Sequence, residues 1–188
     1  MLLPCQTLLV LGGARSGKSR FAQAVVERSG LDRVFLATAE PGDAEMAERI
    51  WRHRADRDGS WRTVEEPLDL PGALAGEAQP GRAVLADCLT LWLSNLMLAG
   101  RDPDRETERL VAALRASAGA AVLVSNEVGL GLVPDTPLGR TFRDAQGRLN
   151  AVVAGACEAA VMLVAGCPVV LKPAAGVDVL LRGGDRVA

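Results

Sequence analysis

The sequence holds one histidine, His53, and two lysines, Lys18 and Lys172, in 188 residues. Its four cysteines, Cys5, Cys88, Cys157 and Cys167, include no C-x-x-C pair. A single imidazole and scattered thiols argue against a zinc site, and isolated thiols fit a reducing cytosol. Charge of one sign is also missing: 21 basic against 23 acidic residues leave a formal net charge of −2. Nucleic acids and acidic membranes attract a basic surplus, so neither is expected as a partner. Residues Met1 to Thr7 lack the basic start and apolar run of a secretory signal. The most apolar late stretch, Ala151 to Leu171, is interrupted by Glu158, glycines and Pro168. It reads as core helix plus strand rather than as a membrane span. These absences together predict a cytoplasmic protein without membrane insertion.

What is present describes a globular enzyme-sized chain. Hydrophobic residues make up 49% and charged residues 23%, the balance of a domain that buries a real core. One domain is expected over 1–188. Apart from the two lysines, every basic residue is an arginine, which reflects a compositional bias and makes Lys18 more telling. The two cations are not interchangeable at a phosphate.

Short apolar runs alternate with amphipathic stretches. Leu8-Leu9-Val10-Leu11 ends in glycines, as a strand buried on both faces does. A helix is predicted over 18–28, stopped by Ser29-Gly30. Val34 to Thr38 reads as a second buried strand, and Asp43 as the N-cap of a helix through about Asp56. Strands are expected at 61–65, 83–87 and 121–125, with helices at 89–99 and 105–117. A Gly/Pro-rich loop over 129–137 precedes a long helix opened by Pro137 and ending near Cys157. Short strands at 161–164 and 169–171 close the pattern. Such alternation predicts an α/β fold around a mostly parallel sheet.

The chemistry starts at Gly12-Gly13-Ala14-Arg15-Ser16-Gly17-Lys18-Ser19, the full G-x-x-x-x-G-K-S pattern of a P-loop, with a strand before it and a helix after it. Glycines let the backbone curl so that amides converge on phosphate oxygens, and the helix N-terminus adds positive potential. Lys18 is placed for the β- and γ-phosphates of GTP or ATP, and the Ser19 hydroxyl for Mg²⁺. Asp87, ending an apolar strand, fits a Walker B-type carboxylate that holds Mg²⁺ through water. Glu127 stands after the 122–124 run at the edge where α/β ligands bind; it reads either as an orienting group or as a solvated loop residue. Trp51 and Trp61 suit stacking on a base or plain burial, and Trp92 reads as core.

His53 shares a predicted helix face with Met46 and Ile50, which alone describes a half-buried histidine. Its neighbours Arg52, Arg54 and Arg57 add a second reading. Clustered guanidiniums suit polyphosphate and disfavour imidazolium, leaving the neutral ring that attack on phosphorus needs.

Four segments carry a resemblance: Gly12 to Arg20; Ala37-Thr38-Ala39; Arg49-Ile50 with His53, Arg57, Trp61, Thr63 and Glu65; and Ser125-Asn126-Glu127-Val128-Gly129 continuing to Phe142-Arg143-Asp144, Gly147-Arg148 and Asn150. Together they resemble the bifunctional adenosylcobinamide kinase/adenosylcobinamide-phosphate guanylyltransferases of cobalamin biosynthesis, from about Thr7 to Lys172. The tail 173–188 extends past the usual family end.

The resemblance implies a RecA-like P-loop fold, a homotrimer, and two reactions. A nucleoside triphosphate first phosphorylates the aminopropanol hydroxyl of adenosylcobinamide. GTP then guanylylates that phosphate through a GMP attached to a histidine, a position that coincides with His53. Ala37, Thr38, Arg54, Arg57 and Glu65 match segments that line the guanine nucleotide in the family. Two alternatives to this reading are a P-loop kinase of another small alcohol and a nucleotide-dependent switch without transfer chemistry.

Overall fold

A computed structural model of the chain describes residues 5–39 and 59–172. The helix expected over 43–56, and with it Trp51, His53, Arg54 and Arg57, lies outside the described residues, as does the tail 173–188. Seven strands run β1 Thr7–Gly12, β2 Asp32–Ala37, β3 Trp61–Glu65, β4 Arg82–Asp87, β5 Ala120–Asn126, β6 Ala159–Val164 and β7 Cys167–Lys172. Five helices accompany them among the described residues: α1 Lys18–Glu27, α2 Leu70–Glu77, α3 Leu89–Leu98, α4 Pro103–Ala116 and α5 Pro137–Ala156.

The strands form one sheet in the order β3-β2-β4-β5-β1-β6-β7. All neighbours are parallel except β6 and β7, which form an antiparallel hairpin. Its two-residue turn, Ala165-Gly166, has positive φ at both positions (51° and 81°), the mirror-image turn whose twist suits a hairpin.

Side chains alternate across the sheet, and each face builds its own core. Leu8, Val10, Phe35, Leu85, Val122, Val124 and Val161 pack with Ala22 and Val26 of α1. Leu9, Leu11, Leu36, Val84, Ala86 and Leu123 point the other way, against the buried faces of α2 to α5. The unbroken apolar runs of the sequence therefore reflect strands covered on both faces. Trp92 is fully buried in this second core, and its indole N–H donates to the Leu68 carbonyl at 3.0 Å, as its apolar helix implied.

The helix starts follow local chemistry. Asp102 accepts from the amides of Asp104 and Arg105, with Pro103 in the first position of α4. Thr136 accepts from Gly139 N at 3.1 Å ahead of Pro137. In both, a short polar side chain satisfies first-turn donors and proline supplies a pre-set φ. At the other end of α5, the Lys172 ammonium donates to the carbonyls of Ala154, Gly155 and Cys157, covering acceptors that the last turn leaves open.

One helix is absent from the sequence-based expectation. α2 carries Pro71, Gly72 and Gly76, which read as breakers. Asp69 nevertheless caps it, accepting from Gly72 N at 3.4 Å. Pro71 falls in its first turn, where no amide is needed. Leu70, Leu74 and Ala78 recur every fourth residue and are buried. Tertiary burial overrides the weak local propensity here.

Candidate functional site

The parallel register brings the chemistry to one edge. Glu65 pairs with Ala37, Ala37 with Asp87, and Asp87 with Val124. β5 and β1 continue two residues further, so that Asn126 lies beside Gly12. The carboxyl ends of β3, β2, β4, β5 and β1 thus gather Glu65, Ala37, Thr38, Asp87, Asn126, Glu127 and the start of the P-loop. Open parallel sheets bind ligands at this edge.

Between β1 and α1 the loop curls tightly. Arg15 sits at φ 56°, Gly17 at φ 91°. Gly17 occupies the N-cap of α1 and provides no capping side chain, so the first-turn amides face the loop without a side-chain acceptor. Gly12 is required by close approach. A Cβ there would stand 2.4 Å from Ser16 Oγ and 3.0 Å from the carbonyl of Leu163. A Cβ on Gly17 would meet Gly166 Cα at 3.9 Å, which places the β6–β7 turn beside the loop. Ser16 Oγ is buried and lacks a hydrogen-bond partner among the described residues. A buried hydroxyl left so is costly, and an anion in the loop would satisfy it.

Lys18 is 8% exposed, and its ammonium donates to the Gly13 carbonyl at 3.2 Å, folding back over the loop it belongs to. α1 packs against β4 and β5, which brings Lys18 near the end of β4. The Cys88 thiol registers this proximity. Burial pushes it up to about 11 and the Asp87 carboxylate adds to the rise, while backbone amides of Leu91 and Thr90 and the Lys18 ammonium pull the other way. Lys18, Asp87 and Cys88 therefore share one electrostatic environment. Ser19, next along α1, is half-buried.

Thr38 is fully buried. Its hydroxyl donates to the Cys88 carbonyl at 2.8 Å and accepts from Cys88 N at 2.8 Å. Asn95 Nδ2 donates to the Thr38 carbonyl at 2.8 Å and to that of Pro67 at 3.2 Å. The threonine thus fastens β2 to the turn after Asp87, with both hydroxyl bonds spent on the backbone. Ala37 precedes it, half-buried at the sheet edge, and Glu65 is exposed. Glu127 donates its amide to Gly12 O at 3.1 Å, and its carboxylate accepts from Gly129 N at 2.6 Å, holding the loop that follows.

Trp61 stands at the amino end of β3, opposite the site. It packs edge-on against Phe35, with ring centroids 6.3 Å apart, and is 9% exposed. Of its two sequence-based readings the structure supports burial.

Asn95, Thr90 and Cys88 were not among the residues singled out from sequence. They touch the site only through the backbone of distant segments, and no motif marks such contacts.

Among the described residues no group of three or more His, Cys, Asp or Glu side chains could hold a metal by itself. Oxygen donors at this edge include the Ser19 hydroxyl and the Asp87 carboxylate, hard oxygens of the kind Mg²⁺ takes alongside phosphate and water. The loop's curled glycines and the Ser16 hydroxyl, without a partner among the described residues, fit a polyphosphate that would bring such an ion. None of the helices among the described residues is long and apolar enough to cross a membrane.

The thiols give a direct check of burial. The Cys157 thiol is pushed up to about 12, mainly by desolvation against the lowering effect of the Lys172 ammonium. Cys167 is exposed. An aromatic disulfide reagent at pH 8 is expected to titrate Cys167 rapidly, and Cys88 and Cys157 only after denaturation. Unfolded thiols ionise near 9 and these two near 11 and 12, so their contribution to stability is complete below pH 9. It declines as pH rises from about 9 through 11 to 12.

Known proteins share the fold and much of the sequence of this chain. Two solved structures share the fold: an ATPase from the type III secretion system of pathogenic bacteria (TM-score 0.53, 15% identity, 85% of this chain and 51% of that one) and a Pyrococcus horikoshii OT3 protein (TM-score 0.50, 11% identity, 91% and 88%). These likenesses show the fold, a mostly parallel sheet flanked by helices. Closer in sequence is the bifunctional adenosylcobalamin biosynthesis protein CobP of Pseudomonas aeruginosa, 50% identical over 167 residues, covering 87% of this chain and 96% of the relative. The bifunctional protein CobU of Escherichia coli K12 is 38% identical over 180 residues, 88% and 99% covered, and its Salmonella typhimurium counterpart is 37% identical with the same coverage. The family model described as cobinamide kinase/cobinamide phosphate guanyltransferase matches residues 8–171. The chain belongs to the CobU family of cobinamide kinases and cobinamide phosphate guanylyltransferases.

Proposed function

We propose that this chain phosphorylates the aminopropanol hydroxyl of adenosylcobinamide with ATP or GTP, and then transfers GMP from GTP to the resulting phosphate through a GMP–His53 intermediate, giving adenosyl-GDP-cobinamide. The observation that carries the reading is the complete P-loop beside Asp87 in a member of this family. Both reactions break a phosphoanhydride bond, and both need the leaving phosphates held.

In the kinase step the substrate hydroxyl oxygen attacks the γ-phosphorus, the bond to the β-bridging oxygen breaks, and the nucleoside diphosphate departs with the electron pair. The hydroxyl proton is released. P-loop amides and the Lys18 ammonium stabilise charge that grows on the β- and γ-oxygens. In the transferase step a neutral His53 nitrogen attacks the α-phosphorus of GTP and pyrophosphate leaves. The substrate phosphate oxygen then forms its bond to that phosphorus as the P–N bond breaks, regenerating the imidazole. Mg²⁺, held by Ser19 and Asp87, would neutralise the phosphate oxygens.

Gly12, Gly13, Ala14, Arg15, Ser16, Gly17, Lys18 and Ser19 are assigned to the polyphosphate, and Ala37, Arg54, Arg57 and Glu65 to the guanine nucleotide. Thr38 contributes to that part of the site by fixing the end of β2. The working enzyme is proposed as a cytoplasmic homotrimer of single-domain subunits. Incubation with ATP, GTP, Mg²⁺ and adenosylcobinamide tests the assignment by mass spectrometry. Products heavier first by a phosphate and then by GMP support it; unchanged cobinamide with a folded, nucleotide-binding protein overturns it in favour of another kinase or a switch.

A further inference from the structure

A buried amide cluster lies behind the site, and the two transfer reactions as described leave it without a task. Ser125, Gln146 and Asn150 are 0%, 0% and 5% exposed, the first on β5 and the others one turn apart on α5. Ser125 Oγ donates to Asn150 Oδ1 at 2.6 Å. Gln146 Nε2 donates to Ser125 Oγ at 2.9 Å and to Asn150 Oδ1 at 2.9 Å. With its oxygen accepting twice, Asn150 has one amide orientation, and its Nδ2 donates to the Asn126 carbonyl at 3.0 Å.

That carbonyl belongs to the same peptide plane as the Glu127 N–H, which donates to the Gly12 carbonyl at 3.1 Å. A peptide plane is rigid, so the direction of its C=O sets the direction of its N–H. Asn150 pulls on one side of the plane and the P-loop's first residue is held on the other. The preceding amide, Asn126 N, donates to Thr90 Oγ1 at 2.9 Å, and Thr90 lies in the first turn of α3, three residues after Asp87. One residue's backbone thus joins the P-loop, the helix that follows the metal-side carboxylate, and α5. An amide cluster is an expensive way to fill a core: Gln146 Oε1 has no hydrogen-bond partner among the described residues. An apolar trio would pack the same space without that cost, but could not fix the plane.

We infer that Asn150 is a positioning residue for phosphoryl and nucleotidyl transfer, acting through the Asn126–Glu127 peptide to hold the P-loop in register with the turn after Asp87. The inference rests on the two-reaction reading above.

The test compares Asn150→Ala and Ser125→Ala with the unchanged chain in the kinase step, with γ-labelled ATP and adenosylcobinamide as substrates. Nucleotide Kd and Tm are measured alongside. Asn150→Ala frees the Asn126 carbonyl, whereas Ser125→Ala leaves that bond in place and only loosens Asn150. Misplacement by a fraction of an ångström to one ångström lowers turnover on the order of 10- to 100-fold. The expected result for Asn150→Ala is a kcat lower by at least about 10-fold with nucleotide Kd within about threefold, and a smaller loss of kcat in Ser125→Ala. If Asn150→Ala does not fold, the Ser125→Ala result decides. A lowered Tm with kcat per folded molecule within about twofold of the parent in the folded variants would show a purely structural cluster and overturn the inference. An inactive parent chain would instead count against the two-reaction reading.

Discussion

Replacing Lys18 with methionine is expected to lower both the kinase and the guanylyltransferase rates by roughly 10³-fold or more while leaving the fold intact. The magnitude follows from removing a pre-positioned donor at developing charge, which typically costs on the order of 10²- to 10³-fold for a single donor, with a full positive charge at the phosphates adding to it. The reason for expecting both activities to fall is geometric. Lys18 folds back over the loop to the Gly13 carbonyl and lies close enough to the end of β4 to act on the Cys88 thiol. From there, on the proposed reading, it would meet the β- and γ-phosphates, which would leave as pyrophosphate in one reaction and be split in the other. Methionine keeps most of the apolar stem of a side chain that is 8% exposed, so little packing is lost. Arginine is not expected to rescue, because its broad planar fork does not fit a site shaped for a compact ammonium. Steady-state rates for each half-reaction, with circular dichroism to verify folding, check the prediction. Loss of one activity alone would mean that the two reactions do not share the loop.

His53→Ala is expected to divide the two reactions. On the proposed mechanism a chain without its only imidazole would form no GMP adduct, and guanylyl transfer is expected to fall to background. The loss expected for a nucleophile removed outright is on the order of 10⁴-fold or more. The kinase step uses the substrate's own hydroxyl as nucleophile, so its kcat is expected to stay within about threefold of the parent. Adenosylcobinamide phosphate should then accumulate in the presence of both nucleotides. Equal loss of the two activities would assign His53 to binding or folding.

Much of the architecture could be read from residue order because each element carries its own local signal. Leu8 to Leu11 form an unbroken apolar run because β1 is covered on both faces, and the glycines after it mark the loop where backbone approaches phosphate. Pro137 marks the start of α5, whereas Asp102-Pro103, which read as a break before a helix from 105, caps and opens α4 two residues earlier. α2 escaped notice because Pro71, Gly72 and Gly76 signal a break, and only long-range burial of Leu70 and Leu74 reverses it.

The site divides the same way. Gly12 to Ser19 is contiguous and self-announcing. Asp87 became informative once the register placed it two residues short of the level at which Asn126 meets Gly12. The hydroxyl of Thr38, by contrast, is committed to Cys88 fifty positions away, and Asn150 reaches Asn126 across twenty-four. No spacing rule links such pairs, because helix and strand periodicities do not extend between elements. His53 shows the limit from the other side. Its residues alone were consistent with a half-buried histidine, and its catalytic assignment came from resemblance.

The measurement that bears most directly on the central claim asks which phosphorus of GTP remains on the protein. The chain is incubated with Mg²⁺ and GTP labelled at either the α- or the γ-position, denatured, and resolved on a gel. The account predicts label from the α-position only, labile to acid and stable to alkali as a phosphoramidate is, and absent from His53→Ala. Folded, GTP-binding protein that retains no α-label, or that retains label from the γ-position instead, would contradict a GMP–His53 intermediate.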